Sequence, residues 1–177
     1  MAKIKPRTSF DFEILEKGTY RVKISDTGVD AQKKGKTSGR RFWVRLVAVG
    51  GDQEGISHIE GYYEKKNDGT ENTVALSGLA GLLVSVGILK GTEEIDTVMF
   101  STSEFAEGWL KNMKGRELGI KINHKFDSDD KNKETPRSEL KAYYTLDEVM
   151  ALIGKRAGGT TATPTITTPA PPATPIQ

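Results

Sequence analysis

The apolar pattern divides this chain into five strand-like and three helix-like stretches. In residues 19–25, Tyr20, Val22 and Ile24 alternate with Thr19, Arg21 and Lys23, the period of two that gathers apolar side chains on one face of a strand. Residues 40–47 repeat this, with Phe42, Val44 and Leu46 set against Arg41, Trp43 and Arg45. A third strand is expected over 56–63, after the turn Gly50-Gly51-Asp52. From 72 to 86 the period lengthens to that of a helix, with Val74, Leu76, Leu79, Leu82, Leu83 and Val86 as the expected buried stripe. A second helix is expected over 101–113, with Ser101 or Thr102 as N-cap, Glu104 near the third position, and Phe105, Trp109 and Met113 packed inward. Strands over 116–124, with Leu118, Ile120 and Ile122 inward, and over 138–144 follow, joined by a polar loop. Thr145-Leu146-Asp147-Glu148 is a capping box that opens a last helix to about Ile153.

Three strands, a helical segment and two more strands form the chain order of an OB-fold. The expected fold is therefore mainly β: a five-stranded Greek-key barrel with a helical insertion between strands 3 and 4 and a C-terminal helix. Residues 1–17 are a lead-in whose Phe10, Phe12, Ile14 and Leu15 can pack on the barrel, and 18–153 are the domain. From 154 to 177 the composition changes: five of the seven prolines lie there, with many Thr and Ala and no acid. Such a segment cannot build a core and is expected to be a disordered tail.

The polar faces carry the candidate chemistry. Trp43 between Arg41 and Arg45 suits a surface that stacks on bases while neutralising phosphates. An edge strand whose Arg stems cover an apolar Trp is the structural alternative. The same outward parity collects Arg21, Lys23, Lys121, Lys141 and Tyr143 from three further strands. The Gly-containing turn before the Trp43 strand adds Lys33, Lys34, Lys36 and Arg40 at the rim. Tyr62 and Tyr63 should split, one to the core and one to the groove. Tyr63 is placed in the binding set, and a bulge at Gly61 would exchange the two. By alternation with Leu140 and Ala142, Tyr144 is expected in the core.

Charge sharpens this picture. The net charge of +2 hides +7 over residues 1–45 and −5 over the rest, so the basic part points to a local anionic partner. The absence of cysteine excludes disulfides, Cys-ligated zinc and thiol catalysis, and fits a reducing cytoplasm. The N-terminus has no apolar run of a secretory signal. The longest apolar run, 79–89, is broken by Gly81, Ser85 and Gly87 and is shorter than the about 20 residues a bilayer span needs. No membrane, metal or cofactor is expected, and no enzymatic activity. Gly35-Lys36-Thr37 lacks the earlier glycine of a phosphate-binding loop, with Asp30 in its place. His58 and His124 have no helical metal-ligand partner. Asp127, Asp129 and Asp130 begin like a calcium loop, but Lys131, Asn132 and Ser138 occupy its ligand, turn and final-Glu positions.

Residues 10–144 resemble the phage-encoded OB-fold single-stranded DNA-binding proteins. The likeness lies in Phe10-Asp11-Phe12 before Gly18-Thr19-Tyr20-Arg21-Val22-Lys23-Ile24, and in a Lys/Gly turn before an aromatic-containing strand. It continues in Leu82-Leu83-Val84-Ser85-Val86-Gly87-Ile88 and in Gly115-Arg116-Glu117-Leu118-Gly119-Ile120-Lys121-Ile122. The resemblance implies a protein that coats single-stranded DNA during replication, recombination or repair in the bacterial host cytoplasm, alongside phage or host replication and recombination proteins. The non-acidic end of this tail departs from the acidic tip that commonly recruits partners to bacterial single-strand binders. Two other readings fit the same residues: an interaction or structural module with a basic sheet face, and an RNA-binding OB domain.

Overall fold

A computed structural model describes residues 14–32, 38–91, 94–125 and 137–157. Its elements run β1 (Gly18–Ala31), β2 (Arg40–Ala48), β3 (Ser57–Tyr63), α1 (Thr73–Ser85), α2 (Leu110–Asn112), β4 (Glu117–Lys125), β5 (Arg137–Tyr144) and α3 (Leu146–Ala157). The strands form one five-stranded antiparallel sheet in the order β3-β2-β1-β4-β5. The long central strand β1 holds both β2 and β4.

Alternation drives the assembly. Val22, Ile24, Phe42, Val44, Leu46, Leu118, Ile120 and Ile122 are all buried on one side of the sheet, where they meet Leu76, Leu79, Leu82 and Leu83 of α1. Phe42, Phe100 and Phe105 add an edge-to-face cluster, with ring centroids 5.3 Å apart for Phe42–Phe105 and 5.0 Å for Phe100–Phe105. Leu15 of the lead-in is fully buried, and its carbonyl accepts from His124 Nε2 at 3.0 Å and Ser138 Oγ at 3.1 Å. Phe10 and Phe12 lie outside the described residues, as does the segment 158–177.

The two edge strands come together through side chains. The hydroxyls of Tyr62 on β3 and Tyr143 on β5 hydrogen-bond to one another. Helix α1 crosses beneath them, with Gly78 against the Tyr62 ring and Gly81 against the Tyr143 ring. The sheet is thus coiled around α1, an arrangement compatible with a barrel. No helix among the described residues is long and apolar enough to cross a membrane.

Several expected elements differ. Strand β1 continues to Ala31, past the expected end at Ser25, because a bulge between Ile24 and Asp26 resets the alternation and β2 supplies the pairing. Val74 is 78% exposed. It lies about 200° round the helix from Leu76, off the buried stripe. The expected helix over 101–113 is a 3₁₀ turn at Thr97–Ser101, a π-helical turn at Phe105–Trp109 and the short α2. Thr102 Oγ1 accepts from the Phe105 N–H at 3.2 Å, the capping role expected of it. β2 and β3 pair without interruption from Arg41↔Tyr63 to Val47↔Ser57, so Gly61 makes no bulge. The capping box at Thr145 forms, with the Thr145 N–H donating to Glu148 at 2.7 Å and Glu148 N–H to Thr145 Oγ1 at 3.3 Å. Helix α3 continues past Gly154 to Ala157.

Candidate nucleic-acid interface

The face of β1, β2 and β3 that points away from α1 carries Trp43, Arg41, Arg45, Tyr63 and Lys23 of the expected binding side chains. Across it, Asp26, Gly28 and Asp30 of β1 stand opposite Arg45, Trp43 and Arg41 of β2, which stand opposite Ile59, Gly61 and Tyr63 of β3. Trp43 is therefore flanked by glycine on both neighbouring strands. Its indole lies on Gly28: a Cβ there would be 2.5 Å from Cζ2 and 2.8 Å from Nε1. The missing side chain lets a half-buried ring rest on the Gly28 backbone.

Arg41 folds over the second glycine. A Cβ at Gly61 would lie 2.8 Å from Arg41 Nε. The guanidinium sits 5.8 Å from the Tyr63 ring centroid and 3.9 Å from Asp30 Oδ2. Its Nε is buried without a hydrogen-bond partner, so stacking and charge orient this side chain more than hydrogen bonding does. Tyr63 is the outward member of its pair, and Tyr62 is buried. Arg45 and Lys23 are exposed and make no ion pair among the described residues. Ile59, 47% exposed, extends the apolar part of the face beside Arg45.

The carboxylates on β1 were not anticipated. Asp26 Oδ1 accepts from the Thr27 N–H at 3.0 Å and from Lys114 Nζ at 3.4 Å. The Thr27 hydrogen bond first, and then Lys114, hold its carboxyl below the usual range. The face is thus a row of alternating charge around a stacked Trp, and not uniformly basic.

The remaining expected site residues are placed elsewhere. Arg21 donates from Nε to Glu117 Oε2 at 2.6 Å and is committed to that pair. Arg40 is tied to Glu64, with Nη2 3.2 Å from Oε1 and its own N–H donating to Oε2 at 2.9 Å; it also reaches the Ser101 carbonyl at 3.3 Å. Partial burial pushes Glu64 up, but the hydrogen bonds from Arg40 and Ser101 outweigh it and hold the carboxyl below its usual range. Lys141 pairs with Glu139 at 2.8 Å. Lys121 stands opposite Thr19, at the far end of β1 from Gly28 and roughly 30 Å from it measured along the strand at 3.3 Å per residue. Helix α3 packs on β1 and β4 between these ends, with fully buried Val149 over Gly119. The outward residues therefore form two groups, one around Trp43 and one around Lys121 and Lys141.

Tyr143 does not face outward. A bulge between Lys121 and Ile122 shifts the β4–β5 register, placing Tyr143 opposite Ile120 on the core side. Burial raises its hydroxyl pKa well above the usual value. Tyr144, expected in the core, stands opposite Gly119, half-buried near Val149. Lys33, Lys34 and Lys36 lie outside the described residues. Among the described residues no cluster of His, Asp and Glu could hold a metal ion.

No protein-family model matches this chain, and no curated protein is similar to it over a significant stretch.

Proposed function

We propose that this chain is a non-enzymatic, OB-fold single-stranded DNA-binding protein of the phage-encoded kind. It binds with little dependence on sequence, by base stacking and phosphate neutralisation. The OB reading is supported by β1 pairing with both β2 and β4, by β5 pairing with β4, and by the Tyr62–Tyr143 contact between the two sheet edges. In that fold the β2–β3 face and the β1–β2 loop are where oligonucleotides lie. Here they supply Trp43, Arg41, Arg45 and Tyr63, with Lys33, Lys34 and Lys36 in the loop. The observation that carries the reading is the half-buried Trp43 indole seated on Gly28 between two arginines, an aromatic platform on the outward side of the sheet. Base stacking on such a ring is worth about 1–3 kcal/mol per base and is tolerant of sequence. Coating of single strands during phage replication, recombination or repair, in the cytoplasm of the host, follows from this activity.

Titrations with oligo(dT), oligo(rU) and duplex DNA at two salt concentrations test the proposal. Salt-sensitive binding of the single strand with weak duplex binding is the expected result. Absence of nucleic-acid binding would favour an interaction module whose arginine-rich face meets an acidic protein. Preference for oligo(rU) would assign the chain to RNA.

A further inference from the structure

The two carboxylates beside Trp43 have a role that the stacking model does not require. Asp26 and Asp30 flank Gly28 on the same face of β1, each about 6.5 Å from it along the strand. A base stacked on Trp43 lies over Gly28, so its hydrogen-bonding edge falls within reach of one carboxylate or the other. Both acids keep an oxygen available. Among the described residues, Asp26 uses Oδ1 for Thr27 and Lys114 while its Oδ2 accepts no hydrogen bond, and Asp30 meets Arg41 at 3.9 Å through Oδ2. Their side chains are 49% and 54% exposed. A pure phosphate-binding face would not place anions here, since each repels the nucleic-acid backbone.

We infer that Asp26 and Asp30 read the base edge at the Trp43 platform, favouring bases that present an amine there over thymine. A carboxylate accepts from cytosine N4–H₂, adenine N6–H₂ or guanine N1–H and N2–H₂. Thymine offers the O4 acceptor where cytosine offers its amine, and its one donor, N3–H, lies between two carbonyl oxygens that repel a carboxylate. The inference rests on the single-strand reading above and deepens it. Affinity comes from stacking and from Arg41 and Arg45. A modest base preference comes from the acids, which also turn the phosphates away from the β1 edge of the face.

The test measures affinity of the full chain for (dC)₁₂ and (dT)₁₂ at one salt concentration and pH 8, for wild type, Asp30→Asn and Asp26→Asn/Asp30→Asn. Wild type should bind (dC)₁₂ about three- to tenfold more tightly, the yield of one or two charge-assisted contacts. The double variant should bind both oligonucleotides alike, chiefly through a gain for (dT)₁₂, with Asp30→Asn between. Both acids are exposed, and coincident thermal unfolding of the three proteins checks the fold. Equal wild-type affinities would overturn the inference while leaving the single-strand reading intact. So would an equal gain for both oligonucleotides in the double variant, which would mark the acids as general repellents of phosphate. No binding of either oligonucleotide by wild type would remove both.

Discussion

Gly28→Ala should separate the binding function of the Trp43 platform from the stability of the fold. The added Cβ would lie 2.5 Å from Trp43 Cζ2 and 2.6 Å from Cε2, against the 3.5–4.0 Å of ordinary carbon contacts. The ring must lift by about 1 Å or swing to another rotamer. No core residue is displaced, since the obstacle is the half-buried Trp43 ring on the side of the sheet away from α1. An off-rotamer indole costs about 0.5–1.5 kcal/mol. Replacing glycine in a strand recovers about 0.4–1 kcal/mol through the unfolded chain. Net stability should therefore change by less than about 1 kcal/mol. Stacking should suffer far more: losing about 1–3 kcal/mol per base would weaken single-strand affinity roughly five- to a hundredfold. Urea unfolding and fluorescence titration with oligo(dT) on the same preparation read the two quantities. Wild-type affinity in a folded Gly28→Ala protein would show that bases do not stack on a ring held against Gly28. A loss of several kcal/mol in stability would show that the ring is part of the core.

Gly119→Ala is the contrasting substitution: its methyl would overlap Val149, whose Cγ2 would be only 2.7 Å away, beneath α3. Because Val149 is fully buried, the variant should lose about 1–3 kcal/mol in urea unfolding, with faster amide exchange in α3. Glu64 has a folded-state pKa below its unfolded one, so its contribution is complete above about pH 4.3 and disappears as pH falls through the folded value. Glu64→Gln should lower stability at pH 7 by about 1–3 kcal/mol and flatten the acid limb of the stability curve. Lys33→Ala/Lys34→Ala/Lys36→Ala should reduce the slope of log affinity against log salt by roughly 1–2 units if two or three of these lysines touch phosphate, without changing the melting temperature. An unchanged slope would confine the DNA path to the sheet face.

What was legible in the sequence follows the hydrophobic effect. Phe42, Val44 and Leu46, or Leu118, Ile120 and Ile122, cannot be hidden except by a strand with one buried face, so those elements and their inward sets appear as expected. The capping box at Thr145 was readable because its hydrogen bonds are local. The second half of β1 was hidden because Asp26, Gly28 and Asp30 are poor strand formers, and the pairing that holds them comes from β2. Tyr143 and Tyr144 exchanged roles because one bulge in a two-residue period moves every later side chain to the other face. The outward residues were found by parity, but parity says nothing of distance along a strand or of a helix such as α3 lying on the face. Of the two glycines opposite Trp43, Gly61 was visible as a possible bulge, and Gly28 lay beyond the expected end of its strand. Their meaning as a floor for the indole needs the cross-strand register.

The most direct measurement uses Trp109→Phe, which leaves Trp43 as the sole tryptophan. Trp109 packs its ring against Phe105, with centroids 6.5 Å apart, so phenylalanine keeps an aromatic contact there. Oligo(dT) should quench the emission of Trp43 in a saturable, salt-sensitive titration. Adding Trp43→Ala should weaken affinity, followed by anisotropy of labelled DNA, roughly ten- to a hundredfold in a protein that still folds. Tight binding with no change in Trp43 emission, or undiminished affinity without Trp43, would contradict base stacking on this platform.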